Sequence, residues 1–169
     1  MIENSLSDAL REASSDVLER MFFIECLSDL REFVPEPEVV AGLTFDGDPA
    51  GELELKISAS AARSVSADFL ATDEADLSEQ EIHDVVCELA NMICGSALSR
   101  VESAATFRLS TPRIMDSARD IATLSEAAAS ASDPFFEVGD SAIHAVELGS
   151  GRLVVSIHTE KLKWPLFPR

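Results

Sequence analysis

SEQEIHDVVCELANMICGSALSRV, residues 78–101, is the stretch on which the rest of the chain depends. Wound as a helix at about 100° per residue, it gathers Asp84, Glu88, Asn91 and Gly95 into one narrow strip. Ile82, Val85, Val86, Leu89, Ile93 and Ala97 fall on the other side, a stripe wide enough to face a core. Ser78 followed by Glu81 is a capping box and sets where the helix begins. Gly95 does not fit this pattern: a glycine inside a helix costs roughly 1 kcal/mol against alanine, and no packing need explains one on a solvent face. A bare patch beside a carboxylate and an amide suits close approach by another protein's surface. The plainer alternative is a solvated face with an incidental glycine.

Upstream of this helix, Leu6, Leu10, Ala13, Val17, Met21 and Ile24 recur at helical spacing and predict an amphipathic helix over residues 4–26, with Phe22, Phe23 and Leu27 widening its apolar side. Pro35 and Pro37 end any helix. Residues 38–46 and 51–58 read as two strands around a turn at Gly47, Asp48 and Pro49. In the second strand Leu53, Leu55 and Ile57 alternate with Glu52, Glu54 and Lys56, so one face is buried. Residues 59–71 predict a short helix, and the acidic TDEAD leads into the central one.

Downstream, residues 106–115 predict a strand that runs into a loop at Pro112. Residues 116–134, rich in alanine and serine, read as a partly ordered insertion. Residues 135–148 and 152–159 predict a final hairpin around Gly149, Ser150 and Gly151, with His144 and His158 on the sheet surface. A tail follows over residues 160–169; its last nine, KLKWPLFPR, hold the only local basic cluster, with Trp164 and Phe167. It suits either docking on its own chain or contact with a partner.

At 169 residues and 46% hydrophobic, the chain is sized for one domain over residues 1–169 with a full core. A net charge of −18 argues against binding nucleic acid or anionic lipid, which would repel it at long range. No apolar run approaches the ~20 residues that cross a bilayer, and the acidic start MIENSLSDALRE is unlike a signal peptide, so the expected location is cytoplasmic. Cys26, Cys87 and Cys94 form no CxxC pair and read as reduced, buried thiols. His83, His144 and His158 lack metal-ligand spacing. GxGxxG, P-loop and GxSxG motifs are absent, which excludes the commonest nucleotide-binding and serine-hydrolase patterns.

Setting Glu19 against Glu88 aligns SDVLERMFF (15–23) with DVVCELANM (84–92), so that Ser15 meets Asp84 and Phe22 meets Asn91. Each helix is followed by strands, giving two helix-plus-strands halves. One half keeps a polar pair; the other has phenylalanine in its place.

Asp84-x3-Glu88-x2-Asn91-x3-Gly95 resembles the signature helix of the CheC/CheX/FliY chemotaxis phosphatases, and the single intact copy is similar to the CheX arrangement. DVLERMFFIE (16–25) resembles the first helix of CheX-like domains, and LSTPRIM (109–115) their strand-to-loop segment. The resemblance implies an α/β (α+β) fold: long helices packed on a largely antiparallel sheet, pseudo-duplicated. It also implies a homodimer and hydrolysis of the phospho-aspartate of a CheY-like response regulator. In that reaction Asn91 would orient the attacking water and Glu88 would pair with the regulator's lysine, while Asp84 and Gly95 would form contact surface. No cofactor of its own is implied; magnesium is expected on the regulator. The chemistry suits the residues, because an acyl phosphate needs water placed in line rather than a strong base. Two other readings stand beside this one. One is a receiver-docking or adaptor module of the same fold without hydrolysis. The other is an unrelated hydrolase using Asp84 and Glu88 as an acid–base pair, which their exposed positions one turn apart disfavour.

Overall fold

The computed structural model describes residues 6–26, 36–101, 106–115 and 141–160. Helix α1 spans Leu6–Met21, strands β1 and β2 Glu38–Asp46 and Gly51–Ser58, and helix α2 Ala59–Leu70. A single 3-10 turn at Glu74–Asp76 lies in the acidic link before helix α3, Glu79–Arg100. Two very short strands follow, β3 (Arg108–Leu109) and β4 (Arg113–Ile114), and then β5 (Ser141–Leu148) and β6 (Gly151–Thr159). Every pairing is antiparallel, in the order β3-β1-β2-β6-β5, with β4 also on β1.

The alternation expected of β2 is present: Leu53, Leu55 and Ile57 are fully buried, while Glu52, Glu54 and Lys56 lie half-buried on the other face. The helices cover the apolar face. α1 packs over β5 and against α3, and α3 packs over β1. Each of these two helices therefore lies on the hairpin of the other half, β1–β2 and β6–β5 being mirrored about the central β2–β6 pair. This exchange is the arrangement a duplicated helix-plus-hairpin unit produces, and it locates the core between the two layers.

Three sequence expectations need correction. The helix read over residues 4–26 stops at Met21, because Phe23 takes a left-handed conformation (φ 56°) and the Ile24 amide bonds the Leu18 carbonyl at 2.9 Å. That is a Schellman-type ending with phenylalanine where glycine is usual. Phe22 thus sits just beyond the helix, buried and stacked on Phe69 at 4.7 Å, while Phe23 is 88% exposed.

The strand read over residues 106–115 is two strands. Phe45 pairs with Leu109 and Ala41 with Ile114, so four steps along β1 match five along the other side. The extra residue is a bulge across Ser110–Pro112, where proline has no amide to donate. The bulge lets both Leu109 and Ile114 pack on the core.

His144, read as a sheet-surface residue, lies on the helix-covered face. It pairs with the fully buried Val155 and is itself half-buried, whereas Ile143 beside it is 66% exposed. His158 does lie on the exposed surface. The insertion at 116–134, residues 135–140 of the final hairpin, Leu27 and the segment 161–169 of the tail lie outside the described residues.

Candidate functional site

Helix α3 starts where the capping box places it. Glu81 N–H donates to the Ser78 hydroxyl at 3.2 Å, and the Ser78 amide donates back to the Glu81 carboxylate at 2.8 Å. These bonds to the charged form hold the Glu81 carboxyl below its usual range. At the other end Arg100 donates to the Ser96 carbonyl at 2.9 Å and pairs with Asp16 and Glu12 of α1. Between these anchors Val86, Leu89, Ala90, Ile93 and Ala97 are buried, so the face opposite them is held rigidly outward.

On that face Asp84 and Glu88 are exposed, and Asn91 and Gly95 are half-buried. The structure thus brings all four residues of the strip together on one helix. Asp84 accepts a hydrogen bond from Gln80 Nε2 at 2.8 Å, a partner that sequence spacing could have shown, since Gln80 is one turn earlier. Neither the Glu88 carboxylate nor the Asn91 amide has a hydrogen-bond partner among the described residues. Among the described residues, a Cβ built on Gly95 would meet only Leu109 Cδ2, at 4.0 Å, an ordinary contact. Packing among the described residues therefore does not require glycine there. Leu109 on β3, distant in sequence, is the neighbour that sequence reasoning missed.

The thiols beside the strip are poor nucleophiles. Burial, then the Asp84 carboxylate, pushes the Cys87 thiol up, and burial alone pushes Cys94 up to about 12. With both carboxylates open to solvent and Asp84 engaged by Gln80, no enclosed acid–base pair forms. Among the described residues no group of three or more His, Cys, Asp or Glu could hold a metal, and no helix is long and apolar enough to cross a membrane. The strip can present an amide and a carboxylate to another molecule; it encloses nothing itself. In the first half Glu19 is exposed like Glu88, but the residue aligned with Asn91 is the buried Phe22, so the two helices do not carry equivalent sites.

Residues 39–135, more than half of the chain, match the family model for the chemotaxis phosphatase CheX. No curated protein matches the sequence. Among solved structures, a chain of the CheX–CheY–BeF3–Mg complex from Borrelia burgdorferi is similar with a TM-score of 0.67 and 15% identity, covering 93% of this chain and 99% of that one. The chemotaxis protein CheX of Vibrio vulnificus gives a TM-score of 0.66 and 17% identity, covering 92% and 97%. FliY of Thermotoga maritima gives 0.55 and 13%, covering 95% and 91%. At these identities the structural likeness is one of fold, while the family match runs through β1, β2, α2 and the whole of α3. The chain belongs to the CheX family of chemotaxis phosphatases.

Proposed function

We propose that this chain hydrolyses the aspartyl phosphate of a CheY-like receiver domain, with α3 laid against the receiver's phosphorylation site. The observation that carries the proposal is the Asn91 amide: among the described residues it has no partner, it stands on a helix anchored at both ends, and it lies near a glycine that their packing does not require. The matched family is one of chemotaxis phosphatases, and the Borrelia burgdorferi relative was solved in a complex with CheY.

Asn91 accepts a hydrogen bond from the attacking water through its carbonyl oxygen and holds the water oxygen in line with phosphorus. A neutral amide cannot deprotonate that water, and the reaction does not need it to. Water oxygen bonds to phosphorus, the bond to the aspartyl oxygen breaks, the carboxylate leaves as the anion, and inorganic phosphate takes up the water's protons in exchange with solvent. Glu88, one helical turn from Asn91, pairs with the receiver's lysine and sets the register of docking. Asp84, fixed by Gln80, and Gly95 complete the contact strip. Magnesium would be held by the receiver and would supply positive charge beside the phosphoryl group; no residue of the strip is assigned to it. A homodimer accords with the same reading, and β5, the last of the described strands in the sheet order, carries the 66% exposed Ile143.

Phosphate release from a phosphorylated receiver is expected to accelerate on adding the protein. Asn91→Ala should lower that acceleration by at least about a hundredfold, the scale of losing a positioned catalytic group, with an unchanged circular dichroism spectrum. An Asn91→Ala protein as active as wild type removes Asn91 from the mechanism. Binding without any acceleration by the wild type favours the adaptor reading.

A further inference from the structure

The C-terminal ends of α1 and α2 leave apolar surface open. Met21, Phe23, Phe69 and Leu70 are exposed, four of the five large apolar side chains that are so among the described residues. The stack of Phe22 on Phe69 at 4.7 Å brings the two helix ends together. Phe23 is turned outward by a left-handed backbone (φ 56°), a conformation that favours glycine and that a bulky residue adopts at a cost. An aromatic both strained and 88% exposed contributes little to the described core.

Beside it lies an open cleft of about 410 Å³, lined by Phe23 and Ile24, by Val65 of α2 and by the β5–β6 turn at Gly149. The charged residues of this lining are Glu25 and Asp68, both exposed and without an ion pair among the described residues. Arg20 and Arg63, the cations closest to them along α1 and α2, are engaged by Asp16 and by the Glu74 carbonyl.

An apolar cleft with an acidic rim suits a segment that carries apolar and basic side chains together. The chain holds one such segment, KLKWPLFPR (161–169), where Lys161, Lys163 and Arg169 alternate with Leu162, Trp164 and Phe167. Reach decides which copy it comes from. The last described residue, Glu160, bonds the Ala50 carbonyl at 2.7 Å, and the cleft lies at the other end of β6. Gly151–Thr159 spans about 26 Å. Four residues carry the backbone from Glu160 to Trp164 by at most about 14 Å. Trp164 therefore falls short of the cleft on its own chain.

We infer that the cleft beside Phe23 is the docking site for residues 161–169 of a second copy of this chain. Trp164 and its apolar neighbours meet Phe23, Ile24 and Val65, while Lys161 and Lys163 meet Glu25 and Asp68. Reciprocal exchange of the two segments closes a two-fold dimer and fills both clefts. It sets cations against acids locally, where two chains of net charge −18 otherwise repel. None of these residues belongs to the α3 strip, so the inference goes beyond the receiver reading and stands without it.

Trp164 is the only tryptophan, and the chain has no tyrosine, so its emission reports on the segment directly. Full-length protein is diluted through the micromolar range while emission and sedimentation mass are followed together. Emission is expected to move to the red as dimers dissociate. Phe23→Gly suits the left-handed turn, so it should resist urea as well as wild type while raising the dimer Kd at least about tenfold. Glu25→Gln/Asp68→Asn reduces the overall repulsion yet should raise Kd about fivefold, because the local attraction is lost. A monomer at every concentration would overturn the inference, as would a dimer whose Kd Phe23→Gly leaves unmoved. So would a blue-shifted emission that ignores concentration, which means docking on the same chain, or a tighter dimer in the Glu25→Gln/Asp68→Asn variant.

Discussion

Gly95 is the residue whose behaviour separates a working surface from an ordinary helix face. Among the described residues a Cβ there meets nothing closer than Leu109 at 4.0 Å, so alanine fits this packing. It also removes backbone freedom from the unfolded state and suits the helix better. Gly95→Ala is therefore expected to stabilise the protein by about 0.5–1 kcal/mol in urea unfolding while weakening receiver binding or turnover. Gains in both would show that the glycine is incidental. The identity of the strip was legible in the sequence, because helical spacing alone assembles Asp84, Glu88, Asn91 and Gly95. That Asn91 has no partner within the described residues was not legible, since it depends on what the rest of the chain brings near it.

At the scale of the element, α3 is held at both ends by different means. Its start is written locally in Ser78 and Glu81; its end is tied through Arg100 to Asp16 and Glu12 of α1. Ser78→Ala should cost about 1 kcal/mol of stability at neutral pH, the usual loss of a helix cap. The Glu81 side carries a pH dependence of known sign. Its carboxyl is held below the usual range in the folded protein, so its contribution is present above the unfolded pKa and is lost as pH falls through the lower folded value. Urea midpoints of wild type and Glu81→Gln should accordingly differ at pH 7 and converge in acid; a difference that persists in acid argues against the capping box as its cause. α1 shows the opposite case. Its apolar spacing continues past Met21, but the left-handed turn at Phe23 ends the helix. Periodicity cannot reveal this, because no glycine marks the position.

At the scale of the whole molecule, the two halves share a plan and differ in use. Hairpins β1–β2 and β5–β6 sit symmetrically about the β2–β6 pair, with α1 and α3 exchanged across them. Phe22, aligned with Asn91, is 1% exposed and stacks on Phe69, so it serves the core. Phe22→Asn should thus unfold more easily by about 3–5 kcal/mol, from the cavity and the buried amide together, with no increase in phosphatase rate. A faster enzyme would mean the first helix still offers a surface to the receiver.

The sequence by itself determined the elements whose information is local. These are the capping box and stripe of α3, the alternation of β2, the interruption at Pro112 and the composition of the strip. These follow from backbone geometry and the periodic separation of apolar from polar side chains, which neighbouring residues suffice to define. Only the tertiary structure decided that Phe22 is core and Phe23 solvent, that His144 faces the helices, and that a bulge at Ser110–Pro112 carries Leu109 to Gly95. The reason is that burial and edge register depend on which distant segment packs or pairs with a residue, and spacing along the chain does not encode that.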